Sequence, residues 1–355
     1  MDKKNVEKVR RRRGRKGSGV GIRLESNAEA NGVVDMNATF KPHKSPLINL
    51  ADAKWYECGN DATIFSLDRQ DTTNLNRKNR TETILKFRNL ADLIYQQEIE
   101  LSSSSSSEVD GKDDKWMENT MRRGTLKDRI ASMSVVIGTN PVHKLYALDM
   151  LLNLAGVSIQ KDGNNANTGK TSIPNARVSQ MAAEALTDLF TNSLLPNSRK
   201  LYGLESRPLF LYEDQEDNDS KNDATKNKSK TKRISSKTLS PRILLLWRYE
   251  EMIKYRYISF ISQNLGKNLS ESSSKTPVPQ SNMGSNSLEM YKLVALRNAS
   301  SLMRDIPEGE QILLSMIVNK IGDPSRKVAA AAAHQLRLIL EVHPVMTVVI
   351  TREVC

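Results

Sequence analysis

Apolar residues recur at helical spacing in several separate stretches. In 125–138, Leu126, Ile130, Met133 and Ile137 fall at i, i+4, i+7 and i+11, one stripe of a helix. Thr125 followed by Asp128 reads as a capping box at its start. Asn140-Pro141 breaks that helix and opens another, whose stripe is Val142, Leu145, Leu148, Leu152 and Ala155. Two amphipathic helices with so short a break predict an αα-hairpin. The pattern returns near the end of the chain. Pro307 is expected to open a helix carrying Ile312, Leu313, Met316, Ile317 and Ile321. Gly322 ends it, Asp323 caps the next and Pro324 takes its first position. Val328, Ala331, Ala332, Leu336, Ile339 and Leu340 then face one way.

Between these stretches the periodicity vanishes. Ser102–Ser107 is a serine homopolymer, and 161–172 and 266–284 are rich in Asn, Ser, Gly and Pro. Residues 213–237 run from an acidic block into a basic one with no apolar period, as in a disordered insertion. The expected organisation is a disordered basic tail (1–43), a short helical island (44–100) and a Ser-rich linker (101–119). Helical hairpins (120–210), a charged insertion (211–239), an aromatic and basic helix (240–265), a linker (266–286) and a closing repeat (287–355) follow. The segment 322–336, GDPSRKVAAAAAHQL, has the form of a HEAT-repeat second helix, and a pair spanning 307–343 is close to the length of such a repeat. The predicted fold is all-α, a HEAT-like solenoid in which each hairpin is covered by its neighbours.

Several strings, taken in order, resemble one family. They are KWYE (54–57), GTLKDRIASMSVVIGTNPVHKLYALDMLLNLA (124–155), RKLYGLESRPL (199–209), LLLWRYEEMIKYRYISFI (244–261) and the long stretch from LRNASSLMRDIPEGEQ (296–311) to TREV (351–354). Together they cover about half of the residues and resemble the nucleolar complex (Mak-type) and CCAAT/enhancer-binding-protein-zeta family of large-subunit ribosome-assembly factors. The resemblance implies a non-catalytic helical scaffold in the nucleus and nucleolus, acting in early assembly of the large (60S) subunit and pre-rRNA processing. The implied partners are a second nucleolar complex protein, the pre-60S particle and pre-rRNA. Members of that family continue well past the length seen here, so the chain reads as an N-terminal portion or a truncated gene model. Its closing apolar run, Val345, Met346, Val348, Val349 and Ile350, is then expected either to promote aggregation or to fold back over 307–321.

Charge sharpens this picture. With 53 Lys+Arg against 41 Asp+Glu the net charge is +12, which favours a polyanionic partner. Much of the excess lies in Arg10, Arg11, Arg12, Arg13, Arg15 and Lys16, which read as a nuclear-localisation segment or a nucleic-acid contact. The two cysteines, Cys58 and Cys355, cannot build a disulfide framework or a Cys-rich zinc module. No apolar run approaches the length of a membrane span.

The chain carries no complete enzymatic motif. Asn164–Ser172 imitates a P-loop, but Walker A needs glycine where Asn164 stands. His43, His143, His334 and His343 lack metal-ligand spacing, and His334 reads as a packing residue. No cofactor, metal or small-molecule substrate is expected. Aromatics and cations interleave over 247–260, which suits stacking on unpaired RNA bases. The spacing favours Leu246, Trp247, Ile253, Tyr257 and Phe260 as a core face, with Arg248, Lys254 and Arg256 outside as candidate phosphate contacts. Glu250 and Glu251 are expected to pair with Lys254 along the helix. Two rival functions stay open: a CCAAT-type DNA-binding transcription factor, and a generic HEAT-repeat adaptor.

Overall fold

The structure is a computed structural model and describes residues 43, 45–49, 54–58, 77–104, 110–159, 175–209, 239–270 and 285–354. All of these lie in one compact unit, 41–355. Every regular element among them is helical. The helices are α1 (Arg77–Ser104), α2 (Asp110–Arg123), α3 (Leu126–Thr139), α4 (Leu145–Leu154), α5 (Ala176–Leu189), α6 (Pro241–Phe260), α7 (Gly266–Ser270), α8 (Ser285–Asp305), α9 (Glu310–Val318), α10 (Arg326–Val342) and α11 (Thr347–Val354). Contacts run from each hairpin to the next. Helix α3 packs on α2, α4 and α5, α5 reaches α8, and α8 carries α9 and α10. The protein is an all-α helical array, as the periodicity predicts.

Local chemistry sets the boundaries. Thr125 caps α3 by accepting the Asp128 amide and donates its hydroxyl to the Asp128 carboxylate at 2.6 Å. Its stripe buries Ile130, Met133 and Ile137, whereas Leu126, in the first turn, stays exposed. Pro141 opens a turn rather than a helix. Asn140 Oδ1 accepts the His143 amide, and α4 starts only at Leu145. Val142, Leu145, Leu148, Leu152 and Ala155 are all buried, as the stripe requires.

The closing hairpin departs from expectation in the same way. Helix α9 begins at Glu310 rather than Pro307, because Gly309 turns the chain with φ +74°. A side chain there is doubly disfavoured, since a Cβ would sit 2.9 Å from Ile261 Cδ1. Asp323 takes the Ser325 amide, and its carboxylate is buried between Lys292 and Lys320, both at 3.0 Å. Helix α10 then buries Val328, Ala332, Leu336 and Ile339 against α8 and α9. His334 points outward instead of packing, because the buried stripe passes through Ala332 and Leu336. Two stretches read as linkers contain helix: α2 starts at Asp110, within 101–119, and α7 lies within 266–286.

The apolar run after His343 folds back. Helix α11 packs on α9 and buries Ile350, while Val345, Val348 and Val349 remain 91%, 68% and 51% exposed. One helix face is thus committed and the other is an uncovered apolar ridge, the kind of surface that mediates association. The two faces are separable by mutation. Val348→Asp with Val349→Asp should lower concentration-dependent light scattering and leave the melting temperature almost unchanged. Ile350→Asp should cost about 3 kcal/mol and lower that temperature, since it combines a lost apolar contact with a buried charge.

Candidate functional site

Helix α6 is enclosed along most of its surface, with its first turn and Tyr255 standing out. Leu244 to Glu250 are seven consecutive buried residues, a pattern found where neighbours surround a helix completely. Ile253, Arg256, Tyr257, Ser259 and Phe260 continue the burial. Phe190, in a wide turn extending α5, packs its ring 5.1 Å from Tyr257 and 5.7 Å from Phe260. The Tyr249 hydroxyl donates to the Pro141 carbonyl at 2.9 Å, and the Tyr257 hydroxyl to the Glu308 carbonyl at 3.2 Å. Burial raises the pKa of both phenols above their ordinary value, so they act as fixed donors and not as proton shuttles.

Beyond exposed Arg242 in its first turn, the charged residues of α6 are matched from other elements. Arg248 makes a two-pronged contact with Asp92 of α1 (2.6 and 3.2 Å) and also reaches Glu251 at 2.6 Å. Arg88 of α1 completes Glu251 at 2.7 Å. Arg256 grips Asp149 of α4 in the same forked manner, at 2.7 and 3.1 Å. Glu250 collects Arg199 Nη1 (2.5 Å), Arg207 Nη2 (2.6 Å) and the Tyr202 amide (2.9 Å). Arg207 also lies over the rings of Tyr202 and Trp247, 5.0 and 4.9 Å from their centroids. Lys254 donates to the Leu201 carbonyl at 2.9 Å and stands 3.4 Å from Glu308, whose other oxygen accepts the Leu201 amide. Burial disfavours the charged form of Arg248, but Asp92 and Glu251 outweigh it and raise its pKa. For Arg207 burial wins over Glu250 and the value falls.

A second node sits on α1. Ala91, Ile94, Tyr95 and Glu98 share one buried stripe, so a carboxylate occupies a core position. Glu98 accepts the amides of Leu47 (2.8 Å) and Ile48 (3.1 Å), and it meets His143 Nε2 at 2.9 Å and His43 Nε2 at 3.3 Å. Trp55 pins the same segment by donating to the Leu194 carbonyl at 2.9 Å, with its ring edge-on to Tyr249 at 5.1 Å. Burial would favour the neutral acid at Glu98, but His143 and the two amides outweigh it and hold the pKa below the usual carboxylate range.

The family-like strings therefore meet in one place. Trp55, Pro141 and Asp149, the 199–207 loop, α6 itself and Glu308-Gly309 all line the same core. Of the sequence-predicted contacts, Arg248 and Arg256 turn inward with their guanidinium groups committed to Asp92, Glu251 and Asp149, while Lys254 is half-exposed at the edge. The predicted core face is buried as drawn, but the opposite face is covered too. Glu250 and Glu251 do not pair with Lys254, because Arg199, Arg207 and Arg88 from other elements, and Arg248 of α6 itself, approach them more closely. Arg10, Arg11, Arg12, Arg13, Arg15, Lys16 and the P-loop imitation at 164–172 lie outside the described residues. Among the described residues no group of His, Cys, Asp and Glu has a metal-binding arrangement, and no helix is long and apolar enough to cross a membrane.

Two outcomes test this network. Glu250→Ala strands the Arg207 guanidinium in the core and should cost about 3–5 kcal/mol, read as a loss in urea or thermal denaturation. Glu98, Glu251 and Asp323 all have carboxyl pKa values lowered in the folded state. The stability each contributes is thus fully present above the ordinary carboxylate range, about pH 4–5. It is lost as pH falls through the folded values. Melting temperatures should fall steeply below about pH 4, and Glu98→Gln should flatten that fall.

No family model matches the chain. Individual proteins do. The chain is 27% identical over 301 residues, 85% of its length, to mouse CCAAT/enhancer-binding protein zeta. It is 27% identical over 241 residues to Drosophila melanogaster nucleolar complex protein 1, covering 68% of this chain. With the Chaetomium thermophilum ribosome biogenesis protein NOC1 it shares 26% over 269 residues, or 74% of its length. The matched regions span 23%, 16% and 22% of those proteins, so the chain corresponds to under a quarter of each. Over most of its length, the chain is similar to proteins named CCAAT/enhancer-binding protein zeta and nucleolar complex protein 1.

Proposed function

We propose that the chain forms part of a non-catalytic nucleolar scaffold for early assembly of the large (60S) ribosomal subunit and pre-rRNA processing. Its partners in this reading are a second nucleolar complex protein, the pre-60S particle and pre-rRNA. The observation that carries the proposal is the long, ordered similarity to proteins named for the nucleolar complex and for ribosome biogenesis. The physical character of the body agrees with it. Charges on α6 are compensated internally, which suits a rigid support better than a reactive centre. In this reading Arg10–Lys16 directs the chain to the nucleus. The rival reading, a CCAAT-type DNA-binding transcription factor, is supported by the printed name of the mammalian relatives.

Co-sedimentation and the salt dependence of binding separate these readings, and charge replacements test their parts. The tagged protein should co-sediment with large-subunit precursors, and a position only at the top of the gradient would count against the scaffold. Replacing Arg10–Lys16 by Ala or Ser should move the protein out of the nucleus. Nuclear retention of that variant would assign import to another signal or to a carried partner. Nucleic-acid affinity should drop steeply with salt and depend little on sequence. Salt-insensitive, CCAAT-selective binding would favour the transcription factor. Neutralising Lys254, the most accessible of the three candidate cations on α6, should lower RNA affinity only slightly.

A further inference from the structure

Helix α2 differs from the enclosed α6 in what it leaves outside. Trp116 is 64% exposed, the most exposed aromatic side chain among the described residues. The opposite side of α2 is anchored, with Met121 buried and its carbonyl accepting Arg129 Nε of α3 at 2.9 Å. At 100° per residue Arg123 falls on the stripe of Trp116, two turns on, and Asn119 and Thr120 lie between them. Gly124 then closes the chain tightly. Its amide donates to the Thr120 carbonyl at 2.8 Å, and an added Cβ would lie 2.5 Å from that oxygen. Lys127 follows in the first turn of α3.

These cations are uncommitted, in contrast to those of α6. Arg123 and Lys127 are exposed and have no hydrogen-bond or ion-pair partner among the described residues. Arg122 pairs only with exposed Glu118, a contact of little energetic weight. Asp128 is already engaged by Thr125. Cations in the last turn of α2 also suit the helix dipole, which accounts for the charge but not for the outward indole. Towards Gly124 the flank of Trp116 is polar and cationic, formed by Asn119, Thr120 and Arg123, while Asp113 stands three residues before it.

We propose that Trp116, Arg123 and Lys127 form a contact for single-stranded RNA. The indole stacks on an unpaired base while the two cations neutralise neighbouring phosphates. This inference rests on the pre-rRNA reading above and gives it a location.

The test uses the full 355-residue chain and a fluorescently labelled, mixed-sequence single-stranded RNA, read by anisotropy at several salt concentrations. Trp116→Ala should weaken binding about tenfold with little change in the salt slope, and Trp116→Phe should retain most of the affinity. Arg123→Gln with Lys127→Gln should reduce the slope of log affinity against log salt by about 1.4, two phosphate contacts at about 0.7 each. Tyr255→Ala, removing an exposed aromatic of α6, should change nothing. Melting temperatures of the α2 variants should match the parent chain, since all three side chains are solvent-exposed. If the parent chain binds RNA and Trp116→Ala binds equally well, the site is wrong while the pre-rRNA reading stands. If the parent chain binds no RNA, both fall. Unchanged RNA affinity together with lost co-sedimentation on precursor particles would assign Trp116 to a protein contact and overturn the proposal.

Discussion

The structure depends on burying α6 without stranding its charges. A helix surrounded on all sides ordinarily carries only apolar residues, yet α6 includes Arg248, Glu250, Glu251, Lys254 and Arg256. Desolvating one charge costs several kcal/mol unless a partner is held in good geometry. Each charge therefore fixes the position of something else. Asp92 and Arg88 set the register of α1, Asp149 sets α4, Arg199 and Arg207 wrap the 199–207 loop around the helix, and Glu308 ties down the entrance to α9. Apolar packing alone would tolerate sliding or rotation of these elements. Forked guanidinium–carboxylate contacts do not, because both oxygens must be met at once.

This constraint explains what could be read from the chain and what could not. The hairpin helices were legible since each has one wet and one dry face, so Ile130, Met133 and Ile137, or Val328, Ala332 and Leu336, announce themselves by spacing. An enclosed helix has no such contrast. On α6 the spacing of Trp247, Ile253, Tyr257 and Phe260 marks one buried side correctly and is silent about the other. Carboxylate partners 43–163 residues away in sequence leave no local trace, which is why Glu250 and Glu251 were matched to their helical neighbour Lys254. Glu98 could have been suspected, since it occupies the fourth place in the stripe of Ala91, Ile94 and Tyr95. What it binds, two backbone amides from 47–48, could not. The helical content of 110–119 was hidden because its helix is polar on most of its surface and is held mainly through Met121.

The division between inward and outward charge bears on how a basic chain meets a polyanion. Net positive charge alone says little about where a phosphate would sit. Arg248 and Arg256 contribute two of the chain's positive charges, but their fields are cancelled within a few ångström by Asp92, Glu251 and Asp149. Effective positive potential therefore belongs to groups without such partners. On the described body these include Arg123 and Lys127 beside Trp116, and in the sequence the run from Arg10 to Lys16. In the reading proposed above, affinity for nucleic acid and rigidity of the fold draw on different sets of arginines, so one can vary without loss of the other.

The inward set is bound together by mutual requirements: Trp55, Asp149, the arginines around Glu250, α6 and Gly309 are linked by contacts in which one change demands another. Loss of Asp92 leaves Arg248 with Glu251 alone, and Glu251 must then serve two arginines. Replacing Gly309 forces Ile261 to move and strains a left-handed turn. Such mutual requirements make each of these positions hard to change alone, so a substitution at one should destabilise the core more than the pair changed together.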